Sequence, residues 1–331
     1  MIDATTNRNQ DAALSTPAAP EHGGERKFCS YVLMTAAHNE EAHIEKTIQS
    51  VLAQTVLPKR WLIVSDNSSD RTDEIVRSYA ERNSFIRFLR VSRPPGRSFA
   101  SKVIALRSGE HLLQDVSYDF IGNMDADLTV DPTYCEDLMR QFEMNPRLGI
   151  VGGFIHEETN GQFVSRSGNR VHSVSHAAQL VRRECYEAIG GYAVLQYGGE
   201  DWHAQTSARM KGWEAESIPA LKIFHRRHTG AATNLFRSNF KLGKLDYSVG
   251  SHPLFEIIKC ALRIPKRPFL VCATVRLAGF LHSYIRRERI LVSDEFAFFL
   301  RKEQKERMLS YFGKSAATPK TQSAAGNSGR S

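Results

Sequence analysis

The sequence predicts an α/β fold: a doubly wound, mostly parallel sheet that carries a C-terminal helical extension. Three observations predict it. Short apolar runs alternate with amphipathic stretches in the order strand, helix, strand, helix, strand, helix, strand between Tyr31 and Asp125. Polar clusters recur where those apolar runs end. The charge changes sign along the chain: residues 1–221 hold 23 Lys and Arg against 29 Asp and Glu, and residues 222–331 hold 21 against 7.

Taken in order, residues 1–27 are rich in Ala, Thr, Asn, Pro and Gly without apolar periodicity, and read as a disordered tail. Tyr31 to Thr35 is a buried strand, and a helix follows from about Glu40 to Ala53 with Ile44, Ile48, Val51 and Leu52 on one face. Trp61 to Ser65 is the second strand. Asp70 is placed to cap the next helix, which runs through Ile75, Val76 and Tyr79. Ile86 to Val91 is the third strand, closed by a Pro-Pro-Gly turn. A helix from about Phe99 to Leu113 leads to the fourth strand, which ends at Asp125.

Beyond it lie a helix through Leu138, Met139 and Phe142, a strand over Leu148 to Phe154, and a polar stretch, 156–173, expected to be a mobile loop. Ala177 to Arg183 reads as strand and Glu184 to Ile189 as a short helix. A glycine-rich approach opens a helix from Glu200-Asp201-Trp202 to Met210. Ala220 to His225 is a last short strand.

In sheets of this kind ligands bind outside the carboxyl ends of the strands. Thr35 to Asn39, Asp66 to Ser69 and Asp125 to Asp127 all lie at such ends. In an extended chain, side chains at i and i+2 point the same way, so Asp125 and Asp127 aim at one spot. Adjacent carboxylates repel unless a cation joins them, and a hard divalent ion bridging them to phosphates satisfies both. An Asp-Ala-Asp turn alone also reads as a solvated strand end; the coincidence of three polar strand ends favours a site. Neither G-x-G-x-x-G after the first strand nor G-x-x-x-x-G-K-[ST] occurs, so phosphates would need a metal rather than a glycine cradle. Glu200-Asp201 fits a helix dipole, and equally a general base held at a helix start.

Composition excludes some classes. Hydrophobic content of 41% and charged content of 24% describe a globular chain. Cys29, Cys135, Cys185, Cys260 and Cys272 are odd in number and lack C-x-x-C spacing, which argues against a disulfide framework or zinc site and for a reducing compartment. No signal-like leader is seen, so a cytoplasmic location is expected, with a peripheral place on the inner face of the plasma membrane open to it. The basic back end suits an anionic partner, but no aromatic-basic interleaving supports nucleic acid.

With these residues assembled, the chain resembles the family 2 glycosyltransferases, which have the GT-A fold. The likeness covers roughly 28–230 and rests on Ala36-Ala37-His38-Asn39-Glu40-Glu41, Asp66-Asn67-Ser68-Ser69-Asp70, Asp125-Ala126-Asp127 and Glu200-Asp201-Trp202. Ala36 replaces the family's usual proline and His38 its usual aromatic residue, departures that bear on base stacking and not on reaction class. The resemblance implies a nucleotide-diphosphate sugar donor, Mg2+ or Mn2+, inversion at the anomeric carbon, and a glycan or lipid-linked acceptor. By position it implies that Thr35, Ala37, Asn39, Glu40 and Asp66 line the nucleotide pocket, and that Ser68, Lys102, Asp125, Ala126, Arg182, Glu200 and Trp202 complete the donor-facing set. It further implies Asp125, Asp127 and His225 as metal ligands and Asp201 as the catalytic base. Rival readings are a non-catalytic sugar-nucleotide-binding module and a nucleotidyltransferase on a related fold.

Residues 231–312 read as a basic helical region, from Asn234 to Tyr247, Leu254 to Leu262 and Phe269 to Ile285, before a second disordered tail over 313–331. Arg276 interrupts the last and most apolar stretch, which is too short to span a bilayer. Lys266, Arg267, Arg286, Arg287 and Arg289 flank it as an interfacial helix on an anionic membrane would require; packing on the catalytic core explains the same pattern. Gly243-Lys244-Leu245-Asp246-Tyr247 and Glu303-Gln304 look like features of bacterial exopolysaccharide transferases.

Overall fold

The computed structural model describes residues 29–92, 100–226, 235–264 and 270–315, with side chains as far as residue 310. The expected tail over 1–27, the Pro-Pro-Gly turn, Lys266 and Arg267, and the tail beyond 315 lie outside the described residues.

The apolar runs form strands where expected. In chain order the elements are β1 (Tyr31–Ala37), α1 (Ile44–Leu52), β2 (Arg60–Asp66), α2 (Thr72–Arg82), β3 (Ile86–Val91), α3 (Ser101–Gly109), β4 (Phe120–Met124), β5 (Leu128–Val130), α4 (Tyr134–Met144), β6 (Leu148–Thr159), β7 (Gln162–Ser165), β8 (Ala178–Arg182), α5 (Arg183–Ala188), α6 (Glu200–Met210) and β9 (Glu214–His225). The sheet order is β3-β2-β1-β4-β8-β6-β9-β5, with β7 paired to β6. β1 runs parallel to β2 and β4, and β2 parallel to β3. The carboxyl ends of β2, β1 and β4 therefore share one edge.

Alternation along β1 shows why the sheet is covered on both sides. Tyr31 and Leu33 pack with Ile44, Ile48 and Leu138 from α1 and α4. Val32 and Met34 pack with Val103, Leu106 and Ala204 from α3 and α6. Asp70 acts at the start of α2 as expected, accepting from the Thr72 amide at 3.0 Å and the Thr72 hydroxyl at 2.6 Å.

Two expectations are corrected. Residues 156–173 are not simply a loop: β6 continues to Thr159 and returns as β7, with His156 opposite Ser165 and Thr159 opposite Gln162. The turn is Asn160-Gly161, both at positive φ (53° and 75°), as a two-residue hairpin with the right-handed strand twist requires. β9 begins six residues earlier than read, at Glu214, because it pairs with β6 along almost its whole length.

The back end is helical: α7 (Leu235–Ser248), α8 (Pro253–Ala261), α9 (Val271–Ile285) and α10 (Asp294–Ser315). α7 and α9 cross at Gly243 and Gly279. A methyl group on Gly243 would overlap the Arg276 carbonyl, and one on Gly279 the Phe240 carbonyl, so only glycine permits backbones this close. Arg276 interrupts the apolar run of α9 because it is buried, bonded to Asp246 at 2.6 Å and to Glu256 at 3.3 Å. α10 is joined to α6 through Arg209, which donates to both carboxylate oxygens of Glu303 at 2.8 and 3.0 Å. Among the described residues no helix is long and apolar enough to cross a membrane.

Candidate active site

The edge shared by β2, β1 and β4 is built by polar bonds between consecutive loops. Asn39, at φ 56°, bends the chain after β1, a conformation asparagine tolerates better than most residues. Its amide donates to Ser68 Oγ at 3.2 Å, and its Oδ1 accepts from the Ser69 amide at 2.8 Å. The Glu40 amide donates to Thr72 Oγ1 at 2.8 Å, and His38 Nδ1 donates to the Asp66 carbonyl at 2.5 Å. The loops after β1 and β2 are thus fastened together, with Asp66 at the end of β2 and Ala37 at the end of β1, both buried. Two strand spacings set Asp66 roughly 10 Å from the end of β4.

The Asp125-Ala126-Asp127 turn is braced from below by α1. Thr47 Oγ1 donates to the carbonyls of Ala126 and Leu128 at 2.9 and 2.8 Å. One helical turn on, Ser50 exchanges bonds with Val130 at 2.9 and 3.1 Å. These bonds hold β5, a strand of three residues that the sequence reading did not contain, against β9. The pairing sets Leu128 opposite His225. Asp127 Oδ2 and His225 Nε2 consequently meet at 3.1 Å. Burial opposes charge on His225, but the hydrogen bond and charge of Asp127 raise its pKa above the ordinary value.

A second group forms around Lys102 of α3. Its ammonium pairs with Asp125 and donates to the His176 carbonyl at 2.6 Å. Asn123 Nδ2 donates to the same carbonyl at 2.5 Å. Gln205 of α6 bonds the Val174 amide and carbonyl at 2.9 and 2.7 Å, so this loop is fixed to α6. His176 Nδ1 then lies 3.7 Å from Glu200 Oε1. His176 is 4% exposed, and both ring nitrogens lack a hydrogen-bond partner. Burial and the nearby Lys102 charge lower its pKa, against the pull of Glu200 and Asp125.

Glu200 and Asp201 open α6 after Gly199, whose φ of 88° lets the chain turn into the helix. The two acids are pushed apart. Burial works against charge on Glu200, but His176 and Lys102 outweigh it and hold the carboxyl at about 2. Burial and the adjacent Glu200 charge raise the pKa of Asp201, and the bond from the Trp202 amide at 2.7 Å offsets them only in part.

The expected site residues divide accordingly. Lys102, Asp125, Glu200 and Asp201 come together; Asp127 and His225 form a neighbouring pair; Asn39, Glu40, Ser68 and Asp66 belong to the adjoining loops. Thr35 sits on the same edge, but its side chain is fully buried, donating to the Met124 carbonyl at 2.8 Å and accepting from Trp61 Nε1 at 3.0 Å. Arg182 is a correction. It lies opposite Phe120 at the far end of β4, where it donates to the carbonyls of Leu148 and Phe142 at 3.2 and 3.1 Å. Antiparallel pairing of β8 turns this end away from the site. Trp202 points instead towards Phe296 and the C-terminal helices, its ring centroid 6.0 Å from that of Phe296. His176 was missed. It falls in an irregular segment, and only its spacing before the β8 strand could have drawn notice.

The expected metal trio is also corrected. Among the described residues no three His, Cys, Asp or Glu side chains converge on one point, and Asp125 pairs with Lys102. The pair that remains fits a divalent ion. Ligand bonds of about 2.1 Å at right angles separate two donor atoms by about 3.0 Å, and Asp127 and His225 stand 3.1 Å apart.

The family model "Glycosyl transferase family 2" matches residues 33–197. The chain is similar to a poly-beta-1,6-N-acetyl-D-glucosamine synthase of Staphylococcus aureus (strain COL), 34% identical over 120 residues, which are 36% of this chain and 27% of the relative. The corresponding synthase of Staphylococcus epidermidis is 30% identical over the same shares. The matched segment thus spans about a quarter of these relatives. Among solved structures, GalNAc-T7 with UDP, GalNAc and Mn2+ superposes with a TM-score of 0.54 at 12% identity, covering 81% of this chain and 59% of that one. This likeness bears on the fold, which is that of the GT-A glycosyltransferases.

Proposed function

We propose that this chain, whose residues 33–197 belong to glycosyl transferase family 2, is an inverting transferase that moves a sugar from a nucleotide-diphosphate donor to a hydroxyl of a glycan or lipid-linked acceptor. One observation carries the reading. Two neighbouring acids open α6 beside the ion pair of Lys102 and Asp125, in surroundings that favour the ionised form of Glu200 and raise the pKa of Asp201. Divergent environments for adjacent carboxyls mark out acid and base roles.

The roles follow. Asp201 accepts the proton of the acceptor hydroxyl as its oxygen bonds to the anomeric carbon. The bond from that carbon to the diphosphate oxygen breaks, and its electron pair leaves with the nucleoside diphosphate. A single displacement inverts the carbon. Glu200, fixed as an anion, holds Lys102 and His176 in position. Lys102 orients Asp125 towards the donor, and Asp66 with the Asn39 loop faces the base and ribose. A divalent cation held by Asp127 and His225 would neutralise charge on the departing diphosphate, and the Mn2+ in a structural neighbour supports its use.

The staphylococcal relatives support an N-acetylhexosamine donor. A panel of nucleotide sugars, monitored for nucleoside diphosphate release with Mg2+ or Mn2+ and then with chelator, tests the reading. Release from at least one donor, lost with chelator, is expected; a panel without release removes it.

A peripheral site of action on an anionic membrane belongs to the same proposal. Leu254, Ile257 and Leu262 are exposed along one side of α8 and just beyond its end, and Leu281, Tyr284 and Ile285 on α9, with Arg286, Arg287 and Arg289 close behind. Apolar side chains rimmed by basic ones suit an interfacial position. Sedimentation with anionic vesicles, absent with neutral ones, is the expected result.

A further inference from the structure

A cavity of about 240 Å³ lies between α6 and the C-terminal helices, lined by Trp202, Leu245, Asp246, Phe255, Lys259, Arg263, Arg276, Glu303 and Arg307 among others. Most of its charges cancel. Asp246 and Glu256 are met by Arg276 and Lys259, with contacts of 2.6 to 3.3 Å. Glu303 is occupied by Arg209. Arg263 and Arg307 remain; Asp246 and Glu256 act on Arg263 through their charge, but both acids are already bonded to Arg276 and Lys259, so the lining keeps an excess of positive charge. Arg263 is partly buried, and burial and the Arg276 charge lower its pKa against the pull of Asp246 and Glu256. Arg307 is exposed at the rim.

We infer that this cavity is a phosphate-binding subsite, in which Arg263 and Arg307 grip a phosphoryl group. Two cations in excess of the acids around them match a phosphate monoester, which carries about −1.5 to −2 at neutral pH, whereas a carboxylate would neutralise only one. Guanidinium forks suit phosphate oxygens bidentately. The cavity is smaller than the roughly 300–1,000 Å³ usual for whole ligands, so it takes a single phosphorylated unit rather than a nucleotide sugar. Trp202, the residue after Asp201, lines it, and on the transferase reading the phosphate belongs to the acceptor. The phosphate's source is either a soluble phosphorylated glycan unit or a lipid headgroup.

Calorimetric titration of the full chain tests this. Inorganic phosphate and, separately, a short-chain phosphatidic acid kept below its micellar concentration are titrated into the wild type, Arg263→Gln/Arg307→Gln and Arg263→Lys/Arg307→Lys. The Gln pair is expected to weaken phosphate binding at least tenfold, and the Lys pair to recover part of it, so a folding defect is separable from lost charge. Tighter binding of the phosphatidic acid than of phosphate assigns the lipid source; the reverse order assigns the soluble one. Nucleoside diphosphate titrated into the same proteins should bind all three alike. Its failure to bind the wild type would strike the transferase reading and leave the subsite standing. Phosphate binding that is absent from the wild type, or unchanged in the Gln pair, overturns the inference.

Discussion

Asp127 Oδ2 and His225 Nε2 stand 3.1 Å apart although 98 residues separate them in the chain. Nothing local brings them together. The contact exists because β5, fastened to α1 by Thr47 and Ser50, pairs antiparallel with the end of β9. The strand pairing, and not the Asp-Ala-Asp motif alone, brings together the two side chains proposed above to hold a divalent cation.

Removing either ligand should therefore weaken metal binding more than it weakens the fold. His225→Ala and Asp127→Asn are expected to lower Mn2+ affinity by about 100-fold or more, beyond the roughly 10–100-fold usual for residues that merely support a ligand. Manganese binding followed by electron paramagnetic resonance measures it; affinity within twofold of wild type would remove the residue from the metal position.

The pH profile of transfer should carry the mark of Asp201. A base works only when deprotonated, and burial with the Glu200 charge raises the pKa of Asp201. The acid limb should thus fall at a pH above the ordinary carboxylate range. The same shift has a stability sign. A carboxyl whose folded pKa exceeds its unfolded value weakens the fold as pH rises and it ionises. Asp201→Asn is expected to melt no lower than wild type at neutral pH, and at a higher temperature if nothing else changes; thermal denaturation across pH checks it.

Lys102 joins Asp125, the His176 carbonyl and the field around Glu200. Lys102→Met removes a charge-assisted bond, a class worth about 1.5–3 kcal/mol. The donor KM should rise at least about tenfold while the melting temperature moves little. An unchanged KM would assign Lys102 to structure alone.

Gly243 lets α7 and α9 touch. Gly243→Val would force a branched side chain into the Arg276 carbonyl and separate the two helices, which also carry the Asp246–Arg276 bond. We expect destabilisation above about 3 kcal/mol in chemical denaturation, with the C-terminal helices opening first by hydrogen exchange.

Much of the catalytic half was legible in the sequence because its signals are local. Val32 to Met34 and Leu62 to Val64 are apolar runs ending in polar clusters, and runs of that kind bury on both faces. Gly198-Gly199-Glu200-Asp201 announces a helix start. What was not legible depends on partners distant in sequence. β5 is three residues long, and its existence rests on α1 and β9. His176 carries no periodic signal, and its role comes from a carbonyl shared by Lys102 and Asn123. Arg182 was placed in the donor-facing set by resemblance, and the antiparallel direction of β8, which turns it away, is not visible in sequence. The hairpin at Asn160-Gly161 is the exception: its dipeptide is a strong turn signal, and the polarity of the flanking residues hid the strands. Arg276, a charge in an apolar run, has no visible reason until Asp246 and Glu256 appear beside it.

The most direct test of the account compares sugar transfer by wild type and Asp201→Asn at saturating donor and metal, with donor affinity measured in parallel. The account predicts a rate loss of roughly 10²–10⁴-fold with donor affinity within about twofold of wild type. Transfer by Asp201→Asn at the wild-type rate would contradict it.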